Sequence, residues 1–182
     1  VLAATDEHLV QKALSGNKNA WLKLVKRYEK LVYHYAFRMV SNREDALDLL
    51  QDTFISVFRN LASWRQDASF KTWLLTIAHH RCVEFYRRKK DFSNVDEQTE
   101  AASEDEWHDP EMSTHRQQQG QQLTQAMQLL PLEQRTVVEL KFYQHLTLGE
   151  IADQLGISTN TVKSRLYTAV AKLQQHVEVS HA

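Results

Sequence analysis

The sequence predicts an all-α protein of two small helical domains joined by an acidic flexible linker. Three observations lead there. Apolar residues recur at spacings of three and four in both ends of the chain, the period of helices that bury one face. Four Gly and two Pro in 182 residues are few, which suits helices joined by short turns. Charge is also segregated. Residues 1–92 hold 16 Lys and Arg against 10 Asp and Glu, residues 93–116 hold 1 against 8, and residues 117–182 hold 5 of each. A formal net charge of −1 conceals a basic block, an acidic strip and a neutral block.

In the first block, Trp21, Leu24, Val25, Tyr28, Leu31, Val32 and Tyr35 form one helical stripe. A second helix is expected to start at "SNRE", where Ser41 and Glu44 have the spacing of a capping box. Its apolar stripe is Ala46, Leu49, Leu50, Phe54, Val57, Phe58 and Leu61. The loop "ASWRQDASF" follows, then a third helix from about Lys71 to the basic "RRKK". The strip "NVDEQTEAASEDEWHDPEM" is dense in acids and has no apolar period, so it reads as a poorly ordered linker or solubilising spacer.

The last block begins near Gln121 with "LTQAMQLL". Pro131 sits near the first turn of the next helix, "PLEQRTVVELKFYQ", where proline is well tolerated. "LTLGEIADQLG" has the capping-box pair Thr147 and Glu150 and stops at Gly156. Ser158 caps the final helix. Two helices joined by "GIS" make a helix-turn-helix.

On a wheel of 100° per residue, Val162, Leu166, Ala169, Val170 and Leu173 face the preceding helices. Asn160, Lys163, Ser164 and Tyr167 face away, flanked by Thr161 and Thr168. Short polar groups, a cation and an aromatic ring suit base edges and nearby phosphates. Yet from Ser158 to Ala169 the only cations are Lys163 and Arg165, few for a protein that must hold DNA unaided.

The second helix points to a protein partner. Opposite its apolar stripe lie Asp45, Asp48, Gln51, Asp52 and Arg59, with Ile55 in their midst. An acidic face repels DNA. It suits a basic protein surface, with Ile55 adding apolar contact; the bland alternative is a solvated helix face.

These residues, "DALDLLQDTF", "FKTWLLTIAHHRCVEFYRRKK" and "LPLEQRTVVELKFYQHLTLGEIADQLGISTNTVKSRL", resemble bacterial sigma factors of the extracytoplasmic-function (group IV) type. The resemblance covers both blocks in order and omits only the linker. It implies sigma domain 2 over residues 1–92, an acidic linker over 93–118 and sigma domain 4 over 119–182. It further implies an alternative sigma factor that binds core RNA polymerase and promoter DNA, without catalytic groups, cofactor, metal or small-molecule substrate. Asp48, Gln51, Asp52 and Ile55 stand where the family docks on the polymerase clamp. Ser63, Trp64, Arg65, Phe70, Lys71, Thr76, His79, His80 and Arg87 stand where it captures and lines the −10 strand. Asn160, Thr161, Lys163, Ser164, Arg165, Tyr167 and Thr168 stand where it reads the −35 duplex. The linker is expected to thread toward the active site and RNA exit channel. An anti-sigma partner, often membrane-anchored, is implied as well.

The chemistry of the loop agrees. Strand opening needs apolar walls for an unstacked base and cations for the backbone. Trp64, Phe70 and Trp73 lie beside Arg65 and Lys71, although Trp73 sits at the edge of the apolar side and reads as core. Five positions depart from the family's usual residues. His80 replaces Asn, Glu84 replaces Asp, Asn160 replaces Gly, and Thr168 to Val170 replace Arg-Ala-Arg.

Two other readings bear on the same residues. A stand-alone helix-turn-helix regulator with a helical sensor domain leaves the acidic face unexplained. A zinc enzyme draws on His79, His80 and Cys82, but their directions on a helix diverge, and Cys82 reads as a small buried residue. A single cysteine excludes an internal disulfide and fits a reducing cytosol. No apolar run reaches the length of a membrane span. The opening "VLAA" lacks the basic leader of a secretory signal, and the missing initiator Met suggests trimming.

Overall fold

The computed structural model describes residues 4–93 and 114–180, and every regular element among them is helical. The strip from Asn94 to Met112, read above as a linker, lies outside the described residues. The chain divides into two compact units, residues 1–37 with 42–102 and residues 38–41 with 103–182.

The first unit carries α1 (Asp6–Leu14), α2 (Lys18–Val40), α3 (Arg43–Asn60), a 3-10 turn (Leu61–Ser63) and α4 (Phe70–Ser93). Helix α1 is not among those the periodicity singled out. Thr5 caps it by accepting from His8 N–H, and Asp6 and Glu7 fill its first turn, where the helix dipole favours acids. Every residue of the α2 stripe is buried or half-buried, as its spacing predicts. The N-terminus of α3 differs from expectation. Asn42, one residue after Ser41, is the cap and accepts from Asp45 N–H at 3.0 Å. Ser41 has a φ of 53°, outside the extended range an N-cap adopts.

Phe58 also differs. It is 59% exposed, not core, and packs edge-on against Trp21 with ring centroids 5.1 Å apart. Thr53 and Ser56 are buried in α3 instead, their hydroxyls donating to the carbonyls of Leu49 and Asp52. A hydroxyl satisfied by its own helix is cheap to bury. The unit's core gathers Leu9, Val10, Ala20, Leu24, Val32, Val57, Leu61, Trp64, Phe70 and Leu74. Cys82 is buried too.

The second unit carries α5 (Thr114–Gln128), α6 (Leu132–Val138), a π-helical turn (Glu139–Tyr143), α7 (Leu148–Leu155) and α8 (Thr159–Ser180). Helix α5 begins inside the stretch expected to be linker. Pro131 stands at the N-cap of α6. The Arg135 guanidinium donates to the carbonyls of Met127 and Leu130, at 3.0 Å each, and so closes the C-terminal end of α5. The helix expected to run through "ELKFYQ" widens instead. Gln144 N–H reaches back to Glu139 O at 3.1 Å, and the chain turns at His145 with φ 57°.

The capping box of α7 forms as its spacing predicts. Thr147 accepts from Glu150 N–H, and the Glu150 carboxylate accepts from Thr147 N–H. The carboxylate also accepts from the Thr147 hydroxyl at 2.9 Å, and the bonds it accepts, from the backbone first and the hydroxyl second, lower the Glu150 pKa. Helix α7 stops at Gly156, whose φ of 65° and ψ of 36° put it in the left-handed region that glycine enters without steric cost. Val137, Leu140, Ile151, Ala152 and Val162 lock α6, α7 and α8 together.

Candidate nucleic-acid interface

Helix α3 buries Ala46, Leu49, Thr53, Ser56 and Val57. The opposite side must then face out, and Asp48, Gln51, Asp52 and Ile55 are all exposed there, Ile55 at 42%. Phe58 extends the apolar part of this surface by one helical turn. The residue periodicity missed it because a Phe at stripe spacing is counted as core. A groove of about 330 Å³ runs beside the acidic face. Asp45, Asp48 and Asp52 of α3 line one wall, and Arg81, Arg88 and Lys89 of α4 line the other. The groove thus carries both signs of charge, and Leu49, Phe85 and the exposed Phe92 add apolar lining.

Loop 61–71 is arranged differently from expectation. Ser63, Arg65 and Lys71 are exposed, but Trp64 is 9% and Phe70 2% exposed. Trp64 donates its indole N–H to Ala68 O at 3.0 Å. The two rings pack edge to face with centroids 5.3 Å apart, and Tyr28 and Trp73 lie 5.4 and 5.6 Å from Phe70. Neither ring is placed as an open wall for a base. The reason is size. A four-helix unit closes its core with its largest apolar side chains, and each aromatic buries roughly 150–250 Å². Trp73 is half-buried against this core, as read.

Along α4, Ser69 caps the helix by accepting from Thr72 N–H. His80 and Arg87 are exposed. Thr76 and His79 are only half-exposed, and the Thr76 hydroxyl is spent on Thr72 O at 2.9 Å. Burial, and less strongly the neighbouring His80, lowers the His79 pKa from 6.5 to about 4, so its imidazole is neutral near pH 7. His79 therefore offers no fixed positive charge to a phosphate.

Helix α8 matches its sequence reading more closely. Val162 and Ala169 are buried, while Leu166, Val170 and Leu173 are half-buried. Asn160, Lys163, Ser164, Tyr167 and Thr168 are exposed, Tyr167 at 72%. Thr161 and Arg165 are less free than expected. Thr161 is the capping partner of Ser158, its N–H donating to Ser158 Oγ at 3.1 Å. Arg165 pairs with Glu133 of α6 at 3.0 Å. Glu133 is largely exposed, so the pair steers the guanidinium without adding much stability.

Comparison with known proteins matches these two units to two modules. Residues 24–92 match the Sigma-70 region 2 model and residues 120–173 the Sigma-70 region 4 model, together more than half of the chain. The RNA polymerase sigma factor YlaC of Bacillus subtilis is 33% identical over 86% of this chain and 91% of its own. The chain belongs to the extracytoplasmic-function sigma factors of bacterial RNA polymerase. Another relative, the extracytoplasmic-function sigma factor SigM of Mycobacterium tuberculosis, is 30% identical over 93% of this chain and 83% of its own. The solved sigma factor RpoE of Bartonella quintana, in complex with the anti-sigma factor NepR, shares the fold with a TM-score of 0.67 at 21% identity, over 86% of this chain and 96% of that one. This sigma factor is thus an alternative specificity subunit for promoter-directed transcription initiation, with region 2 on α2 to α4 and region 4 on α5 to α8.

Proposed function

We propose a division of labour among the three surfaces. Asp48, Gln51, Asp52 and Ile55 dock on core polymerase. Ser63, Arg65, Lys71, His80 and Arg87 hold the opened −10 strand. Asn160, Lys163, Ser164, Tyr167 and Thr168 read the −35 duplex. Residues 1–92 form the docking and melting domain, residues 119–182 the −35 domain, and residues 93–118 the acidic connection. The protein performs no bond chemistry; it supplies base readout and strand opening.

The observation that carries this reading is the exposed acidic face of α3 on the same chain as an exposed polar reading helix. The acidic face repels a phosphate backbone, and few cations lie on the reading helix. Such a protein holds promoter DNA well only when polymerase supplies the remaining phosphate contacts. The same exposed face is the natural target of an inhibitor, and the complex of the RpoE fold relative with NepR supports an anti-sigma partner for this chain. No helix among the described residues is long and apolar enough to cross a membrane. The sigma factor works in the cytoplasm beside polymerase, and any tether to the inner membrane face comes from that partner.

The experiment is co-elution with core RNA polymerase followed by run-off transcription from genomic fragments. Stable binding and discrete starts are expected. Asp52→Arg is expected to abolish co-elution while the far-ultraviolet circular dichroism stays unchanged, because the site is exposed and only reverses charge toward the partner. Retained transcription by that variant sinks the docking assignment. Nanomolar binding of promoter DNA by the isolated chain at about 0.15 M salt counts against the shared-grip reading.

A further inference from the structure

Helix α1 precedes the region 2 match, which begins at residue 24. It nevertheless enters the core. Leu9 and Val10 are 3% and 5% exposed and share one apolar cluster with Leu61, Trp64 and Phe70. Those three residues are the floor of loop 61–71. Leu61 opens the 3-10 turn, Trp64 ties the loop to Ala68 O, and Phe70 starts α4.

Helix α1 is itself pinned to α2. One Asp6 carboxylate oxygen accepts from Arg27 Nη1 and the other from the Tyr28 hydroxyl, both at 2.5 Å. The second arm of Arg27 donates to Ala4 O at 2.7 Å. The ring of Tyr28 then lies 5.4 Å from Phe70. Burial first, and the bond to Asp6 second, raise the Tyr28 pKa, so the hydroxyl keeps its proton and stays a donor. A continuous path of contacts thus runs from α1 to the loop: Asp6 to Tyr28 to Phe70 on one side, Val10 to the Leu61 and Trp64 cluster on the other.

We infer that α1 is a positioning element for −10 recognition, setting through Leu9, Val10 and the Asp6–Tyr28 bond the floor on which Ser63 and Arg65 meet an unstacked base. The inference rests on the assignment of loop 61–71 to the −10 strand. The physical reason is precision. Side chains presented by a loop hold a ligand well only when the residues beneath are locked to within about 0.5 Å. Leu9 and Val10 are the side chains through which α1 reaches that layer.

The test uses full-length protein bound to core polymerase and a forked promoter fragment, already open at −10, recovered by run-off transcription. Each non-template base of the −10 element is changed in turn, and discrimination is the ratio of complex half-lives. Val10→Ala and Tyr28→Phe are expected to lower discrimination at the captured base by about fivefold, part of what one good base contact supplies. Core affinity and preference at −35 are expected to stay unchanged, and Val10→Ile, which keeps the contact, is expected to retain discrimination. A general loss of structure moves core affinity as well, and that parallel loss overturns the inference. Unchanged discrimination in both variants also overturns it. Should Val10→Ala not fold, Tyr28→Phe decides, since it keeps the ring and removes only the hydroxyl. Ser63→Ala and Arg65→Ala test the underlying assignment. If they leave every −10 preference unchanged, the loop assignment fails. If they shift it and the α1 variants do not, the role of α1 alone fails.

Discussion

Loop 61–71 and helix α8 were both expected to offer aromatic side chains to DNA, and they behave in opposite ways. Trp64 and Phe70 are 9% and 2% exposed, whereas Tyr167 is 72% exposed. The difference comes from what each ring could otherwise do. Tyr167 sits on a long helix whose other face, through Val162 and Ala169, already satisfies the core. Rotating Tyr167 inward requires turning the whole helix. Trp64 and Phe70 sit at a loop and a helix start, where the backbone bends freely and a small core still needs filling. Here the rings at the loop are taken up by the core, and the ring on the far side of the amphipathic helix stays exposed.

The strongest way to break this comparison is to remove the buried ring. Phe70→Ala is expected to destabilise the first unit by about 3–5 kcal/mol, the usual result of emptying an aromatic core site. Tyr167→Ala is expected to alter stability by no more than about 0.5 kcal/mol, as exposed positions do. Thermal unfolding followed by circular dichroism measures both. Equal effects would show that the two rings do the same work.

A smaller effect sharpens the other half. Asn160→Ala and Tyr167→Ala are each expected to weaken −35 recognition by about 1–3 kcal/mol where they replace a good base contact. Competition between promoter and mutated −35 duplexes for the holoenzyme reads this directly. Unchanged selectivity in both variants would move base readout off the exposed face of α8.

The smallest effect concerns the helix that follows the loop. His79 is half-buried and its pKa lies near 4, well below the ordinary 6.5. Between those values the unfolded chain binds a proton that the folded chain refuses. Stability is therefore full above about pH 6.5 and declines as pH falls toward 4. Replacing His79→Gln is expected to make the melting temperature fall less steeply across that window. An identical slope in wild type and variant would mean that other groups carry the acid sensitivity.

Much of the molecule is legible in its sequence. The helical stripes, the Thr147–Glu150 capping box, the Gly156 stop and the exposed faces of α3 and α8 follow from period and local hydrogen bonding. Such features are settled by residues within one or two turns of each other, which is why spacing alone finds them. The capping of α3 by Asn42 instead of Ser41 was missed by one residue, because both types cap well and only the backbone angle separates them.

The sequence by itself determined two helical units, a helix-turn-helix with its outward residues, and an acidic face of α3 turned to solvent. Each depends on periodic patterning, and a helix fixes the direction of every side chain it carries. Only the tertiary structure decided which residues of loop 61–71 face out, that Arg165 is drawn toward Glu133, that Phe58 is exposed beside Ile55, and that α1 reaches beneath the loop. Those outcomes depend on which distant elements meet, and packing of the core ranks the competing partners of a side chain where local spacing cannot.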